Sequence, residues 1–322
     1  MKKISGPMLG LLALLIVGSP TAQTAYPEKP IRVVVGFPPG SQSDILARLL
    51  GQKFAEALGK PIVVDNATGA GGNIATERVA KAAPDGYTLG LLANGQLVIN
   101  PSLYKLAFDI AKDFAPVSQV TFSPTMLVVH NGVPVKGFKE LVALAKAQPG
   151  VLTFASSGSG SLPHMAAELF KSVVGLDIQH IPYKGAVAAI PDLLGGRITM
   201  LFSNMSVALP LVRDGKLRAL AVTSLKRAPA APNLPTVAES GYPGFEFTNW
   251  NGLLAPAGTS AAIVRKLHLE TVKALALPDL RAKLADLGLQ EFGSSPGEFS
   301  TAIKSEIPKW AKLIKDAGIK VD

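Results

Sequence analysis

The residues Gly40-Ser41-Gln42-Ser43-Asp44 put backbone donors, two hydroxyls, an amide and a carboxylate into one short turn. Gly36-Phe37-Pro38-Pro39 precede them, and the two prolines stiffen the turn while offering no N–H. Beyond the turn, Ile45, Leu46, Leu49, Leu50, Phe54 and Leu58 recur at helical spacing. A helix starting here leaves its first N–H groups without intrahelical acceptors, at the positive end of its dipole. The chemistry open to such a turn is anion binding, with Gly40 admitting close approach to the backbone. The same residues also serve as a plain strand-to-helix turn capped by Ser41 or Ser43.

Three further loops have the same make-up. Ser156-Ser157-Gly158-Ser159-Gly160-Ser161 follows a strand-like Leu152-Thr153-Phe154-Ala155 and precedes a helical pattern with His164 in its first turn. In open α/β folds ligands bind beyond the carboxyl ends of strands, so this loop is a natural second jaw. Ile181-Pro182-Tyr183-Lys184-Gly185 offers a phenol, an ammonium group and backbone N–H groups between another strand and helix. Asn66-Ala67-Thr68-Gly69-Ala70-Gly71-Gly72-Asn73 either touches ligand or accommodates close packing between lobes.

The elements that must position these loops alternate. Residues 31–35, 62–65, 88–93, 125–130, 152–156, 178–181, 198–202 and 217–223 read as strands. Helical patterns occupy 44–58, 73–83, 138–147, 162–174, 187–194 and 207–213. Such alternation predicts an α/β fold with mainly parallel sheets. After an apolar run at 250–255 the chain ends in helical segments at 260–275, 279–287 and 296–317. Two lobes, with the chain crossing near 118–124 and 244–252, fit this order.

The enzyme signatures fail on chemistry. Gly293-Ser294-Ser295-Pro296-Gly297 has the spacing of a nucleophile elbow, but Pro296 lacks the N–H an oxyanion hole needs there. Ser295 reads instead as a helix cap, with Pro296 at the first helical position and Glu298 completing a capping box. His130, His164, His180 and His268 lack metal-ligand spacing, and no phosphate-binding loop occurs. A catalytic, metal or cofactor site is therefore not expected.

The chain of 322 residues begins with Lys2 and Lys3, a short apolar run from Met8 to Val17, and Ser19-Pro20-Thr21-Ala22-Gln23-Thr24-Ala25. This is the pattern of a secretory leader over residues 1–25, cut near residues 22–25. The absence of cysteine excludes a cysteine-borne lipid anchor and a disulfide scaffold. The formal charge is +9, or +7 once Lys2 and Lys3 leave, and its basic residues are scattered. That distribution argues against nucleic acid as a partner and allows a mild attraction for anions.

In order along the chain, Phe37-Pro38-Pro39-Gly40 with Asp44, Gly69-Ala70-Gly71-Gly72-Asn73, Ala83-Pro84-Asp85-Gly86-Tyr87-Thr88 and Ile99-Asn100-Pro101-Ser102-Leu103-Tyr104 appear. Ser156 to Ser161 with His164, Pro182-Tyr183-Lys184-Gly185 and Asp192-Leu193-Leu194-Gly195-Gly196 follow. Leu234-Pro235-Thr236 and Leu254-Ala255-Pro256-Ala257-Gly258-Thr259 complete the set. This ordered set resembles the solute receptors of tripartite tricarboxylate transporters, the Bug family of periplasmic binding proteins.

The resemblance implies a two-lobed, type II periplasmic binding protein fold, each lobe a mainly parallel sheet flanked by helices. Residues 26–122 and 248–322 would form one lobe and 123–247 the other. It implies a monomeric periplasmic receptor that closes over a small organic acid and delivers it to permease subunits, or alternatively to a membrane sensor. The implied ligand-binding residues are Phe37, Pro39, Gly40, Ser41, Gln42, Ser43 and Asp44, then Asn94, Ser156, Ser157, Gly158, Ser159, Ser161 and His164. Tyr183, Lys184, Gly185 and Ser203 complete them. Many members carry aspartate where this chain has Ser203, so selectivity for an amino acid is not expected. A periplasmic hydrolase using a loop serine is the rival class, and it lacks an identified base.

Overall fold

A computed structural model of the chain describes residues 26–316 and 318–321. The leader expected at 1–25 lies outside the described residues, as does the end of the last predicted helix at 317. The chain runs β1 (Ile31–Val35), α1 (Gln42–Leu58), β2 (Ile62–Asn66), α2 (Asn73–Ala80), β3 (Thr88–Ala93), α3 (Asn100–Leu103) and β4 (Phe114–His130). It continues through α4 (Phe138–Ala147), β5 (Thr153–Ser156), α5 (Leu162–Val174), β6 (Gln179–Pro182), α6 (Ala186–Leu194), β7 (Met200–Asn204), α7 (Met205–Arg213) and β8 (Leu217–Val222). The last elements are β9 (Thr248–Pro256), α8 (Ala261–Ala276), α9 (Pro278–Asp286), β10 (Gln290–Glu291) and α10 (Pro296–Asp316).

The strands pair in the order β2-β1-β3-β9-β4-β7-β5-β6, with β8 and β10 also against β4. On one side β1 is parallel to β2 and β3; on the other, β5 is parallel to β6 and β7. The first group joins β9 antiparallel through β3, and β4 links the two halves, antiparallel to β9 over 114–124 and to β7 and β8 over 125–130. The sequence reading placed only 125–130 in a strand. Pro116 and Pro124 obscured the first half, which is held by long-range pairing with β9 rather than by local propensity.

Local chemistry sets the element ends. Ser41 caps α1 by accepting the Asp44 N–H at 3.3 Å, and Gly59 ends the helix in the left-handed region at φ 67°. Leu46, Leu50 and Phe54 are buried against β1 and β3 in one of three apolar clusters. Each such side chain stabilises the fold by about 1.5–3 kcal/mol relative to exposure. Helix α2 stops at Ala80, short of the predicted 83, because the chain turns ahead of Pro84. At the start of α10 the Ser295 N–H donates to Glu298 Oε2 at 2.8 Å, and the Glu298 N–H returns to Ser295 Oγ at 3.2 Å. The elbow-like motif is thus a capping box.

Candidate ligand cleft

A cavity of about 360 Å³ lies between residues 37–43 and 157–163. Its wall includes the N-cap residues of four helices: Ser41 of α1, Ser161 of α5, Gly185 of α6 and Asn204 of α7. Each helix start carries the equivalent of about half a positive charge. Lys184 also lines the cavity, and none of the lining residues is acidic. The rest of the wall is largely apolar, with Phe37, Pro38, Leu162, Val187 and Val207. The arrangement suits an anion with a compact hydrocarbon body.

The two facing turns are built alike. In the first, Gly40 stands at φ 81°, its N–H donates to Asp44 Oδ2 at 2.9 Å, and the Ser41 N–H donates to the Pro38 carbonyl at 3.1 Å. In the second, Gly160 stands at φ 76°, its N–H donates to His164 Nδ1 at 2.9 Å, and the Ser161 N–H donates to the Gly158 carbonyl at 3.1 Å. Each turn places a glycine in a conformation that L side chains rarely adopt, then a serine N-cap, then an acceptor side chain at the third helical position.

Several polar atoms on the wall have no hydrogen-bond partner within the protein. They are both amide atoms of Gln42, Ser161 Oγ and Asn249 Oδ1. Gln42 and Asn249 are buried, so these atoms gain most from a polar ligand or from water. Around them, Ser43 Oγ hydrogen-bonds Asn251 Oδ1 at 2.6 Å and Asn249 Nδ2 donates to Asn204 Oδ1 at 3.0 Å.

Of the expected residues, Phe37, Pro39, Ser41, Gln42, Ser43, Ser157, Ser161, Lys184 and Gly185 reach the cavity wall. The others do not line it. Gly40 spends its N–H on Asp44, so it offers the cavity no donor. Asp44 is buried, and its carboxylate accepts from Gly40, from Arg48 Nε and Nη2, and from Asn66 Nδ2. Burial pushes its pKa up, but the bonds from Arg48, Gly40 and Asn66 outweigh this and hold it below the usual value.

Asn94 is fully buried and donates to the Thr248 carbonyl at 3.0 Å. Ser156 Oγ lies 2.6 Å from His180 Nε2 and accepts the Gly158 N–H at 3.0 Å. The Ser159 carbonyl accepts from the Tyr104 hydroxyl, and the Tyr183 hydroxyl donates to Asp192 Oδ2 at 2.6 Å. Ser203 is fully buried opposite Met126 and donates to the Asn204 carbonyl at 3.3 Å, so the next residue, Asn204, faces the cavity in its place. His164 is buried, and desolvation, helped by the charge of Lys171, lowers its pKa to about 4.

The sequence reading did not place Pro38, Ala93, Leu162, Pro163, Val187, Ala188, Asn204, Val207 and Asn249 on the wall. Leu162 and Pro163 were foreshadowed by their place beside Ser161 at a helix start. Val187 and Val207 read as ordinary apolar helix positions, and nothing local marks Asn249. Among the described residues no group of three or more His, Cys, Asp or Glu could hold a metal ion, and no helix is long and apolar enough to cross a membrane.

Residues 46–319 match the family described as tripartite tricarboxylate transporter family receptor. Three solved structures share the fold closely. The chain is 36% identical to R. palustris Rpa4515 with adipate, at a TM-score of 0.88 over 92% of this chain and 100% of that one. It is 35% identical to the periplasmic binding protein BugD, at 0.86 over 92% and 100%. It is 33% identical to MatC from Rhodopseudomonas palustris with bound malate, at 0.84 over 90% and 100%.

Proposed function

The chain belongs to the tripartite tricarboxylate transporter receptor family of solute-binding proteins, which are not enzymes, and from that premise we propose that it captures a small organic carboxylate in the cleft described above. Residues 26–122 and 248–322 act as one lobe and 123–247 as the other, and closure brings their two serine-capped turns together over the ligand. The receptor is exported by its leader to the periplasm and delivers the acid to the membrane subunits of a tripartite transporter.

The observation that carries this reading is the convergence of four helix starts and Lys184 on one cavity whose lining has no acidic residue. Any carboxylate placed there meets the positive potential of these helix starts and of Lys184. The relatives Rpa4515, with adipate, and MatC, with bound malate, support a carboxylate as the ligand. The hydroxyls of Ser41, Ser157 and Ser161 and the Gln42 amide supply hydrogen bonds; the apolar wall takes the hydrocarbon body.

A thermal-shift panel tests it, using adipate, malate and monocarboxylates beside their amides and methyl esters and a neutral sugar. A carboxylate present at 100 times its dissociation constant stabilises the protein by about 2.7 kcal/mol. Stabilisation by the sugar or the esters, with none from any acid, rules the reading out.

A further inference from the structure

His164 does not line the cavity, yet its bond to Gly160 and its stacking on His180 both bear on the loop that does. The Gly160 N–H donates to its Nδ1 at 2.9 Å, which assigns the imidazole proton to Nε2, 3.7 Å from Glu168 Oε1. Its ring stacks on His180, with centroids 4.0 Å apart and planes inclined by 13°, and His180 in turn stacks on Phe154 at 4.8 Å. His180 Nε2 meets Ser156 Oγ, which accepts the Gly158 N–H. The stacked pair therefore grips the loop at 156, 158 and 160, on either side of Ser157 and beside Ser161.

The first turn has the same device in different chemistry: Asp44 takes the Gly40 N–H from the same helical position. There the acceptor is a carboxylate braced by Arg48 and Asn66; here it is a neutral imidazole braced by aromatic stacking. A carboxylate at 164 would set a negative charge behind the turn that faces the anion, close to where the α5 dipole acts. A neutral acceptor holds the same geometry without opposing the ligand's charge.

We propose that His164 is a positioning residue of the cleft, whose Nδ1 lone pair fixes Gly160 and so sets the direction of the Ser157 and Ser161 hydroxyls toward the ligand. This rests on the reading of the cavity as a carboxylate site. The acceptor atom, not the ring, is the functional element. Asparagine at 164 carries an oxygen where Nδ1 stands, whereas phenylalanine keeps a stackable ring without an acceptor.

The test compares the wild type, His164→Asn and His164→Phe by calorimetry with adipate and malate, with Gly160 amide exchange followed by NMR. His164→Phe should lose about tenfold in affinity and expose the Gly160 amide to exchange, while His164→Asn stays near wild type in both. Far-ultraviolet circular dichroism and the melting midpoint show that both variants are folded. Equal affinity in His164→Phe and wild type overturns the proposal, as does loss in both variants with the Gly160 amide still protected. Absence of carboxylate binding by the wild type itself counts against the carboxylate reading; the exchange rates then still decide whether His164 holds Gly160.

Discussion

The Tyr104 hydroxyl donates to the Ser159 carbonyl across 3.1 Å, tying the turn after α3 to the loop that carries Ser157 and Ser161. The contact is close packed: a Cβ on Gly160 would stand 2.5 Å from Leu103 Cδ1 and 3.2 Å from Val321 Cγ1. One side of the loop thus faces the cavity while the other is gripped by residues distant in sequence. In Tyr104→Phe the ring packing stays and the Ser159 carbonyl loses its donor. The closed form should lose about 1 kcal/mol, read as roughly fivefold faster dissociation of a bound carboxylate by stopped-flow competition. An unchanged dissociation rate would show that the bond plays no part in holding the cleft closed.

The buried imidazole of His164 makes stability depend on pH. Its pKa falls from the ordinary 6.5 to about 4. Between those values the unfolded chain binds a proton that the folded one refuses, so stability is full above 6.5 and declines as pH drops toward 4, by up to about 1.4 kcal/mol per pH unit. Below about 4 this group contributes no further loss. Asp44 acts lower still: its folded pKa lies under 3.8, so its contribution persists above that value and is lost as pH falls beneath it. Urea melts of the wild type and His164→Asn at pH 7, 6 and 5 should show a steeper decline for the wild type. Parallel curves would contradict the assignment.

Ser295→Ala removes one arm of the capping box at the start of α10, at a residue outside the cavity lining. It should cost about 1 kcal/mol in a denaturant melt and leave carboxylate affinity unchanged. Binding lost together with stability would mean that α10 supports the cleft.

Asn204 is the wall position at which the charge preference can be changed. It caps α7, lines the cavity and accepts from Asn249 through Oδ1. Asn204→Asp adds a charge that the helix start tolerates and the Asn249 amide still pairs, but it repels a bound dicarboxylate. Calorimetry should find weaker adipate binding and a gain for glutamate, whose ammonium group acquires a counter-ion. The wild type, with no acidic lining residue, should prefer deaminated acids over aspartate and glutamate. Tight binding of either amino acid by the wild type would show that a carboxylate outside the wall supplies the counter-charge.

What the chain determined by itself is what neighbours within about one helical turn decide. Pro38, Pro39, Gly40 and Ser41 dictate a strand-to-helix turn, and Gly158 to Ser161 dictate another, because proline, positive-φ glycine and serine N-caps act over three or four residues. The α/β alternation follows from apolar periodicity for the same reason. What only the tertiary structure decided is direction. Asp44 and His164 sit in those turns as ligand candidates, yet both point back to a glycine N–H, since a buried acceptor must satisfy the nearest orphan donor. Asn204 and Asn249 come together from chain positions 45 apart, and β4 owes its first half to β9. Such pairings are set by sheet order and burial, which no short stretch of sequence encodes, and they alone bring four helix starts to one cavity.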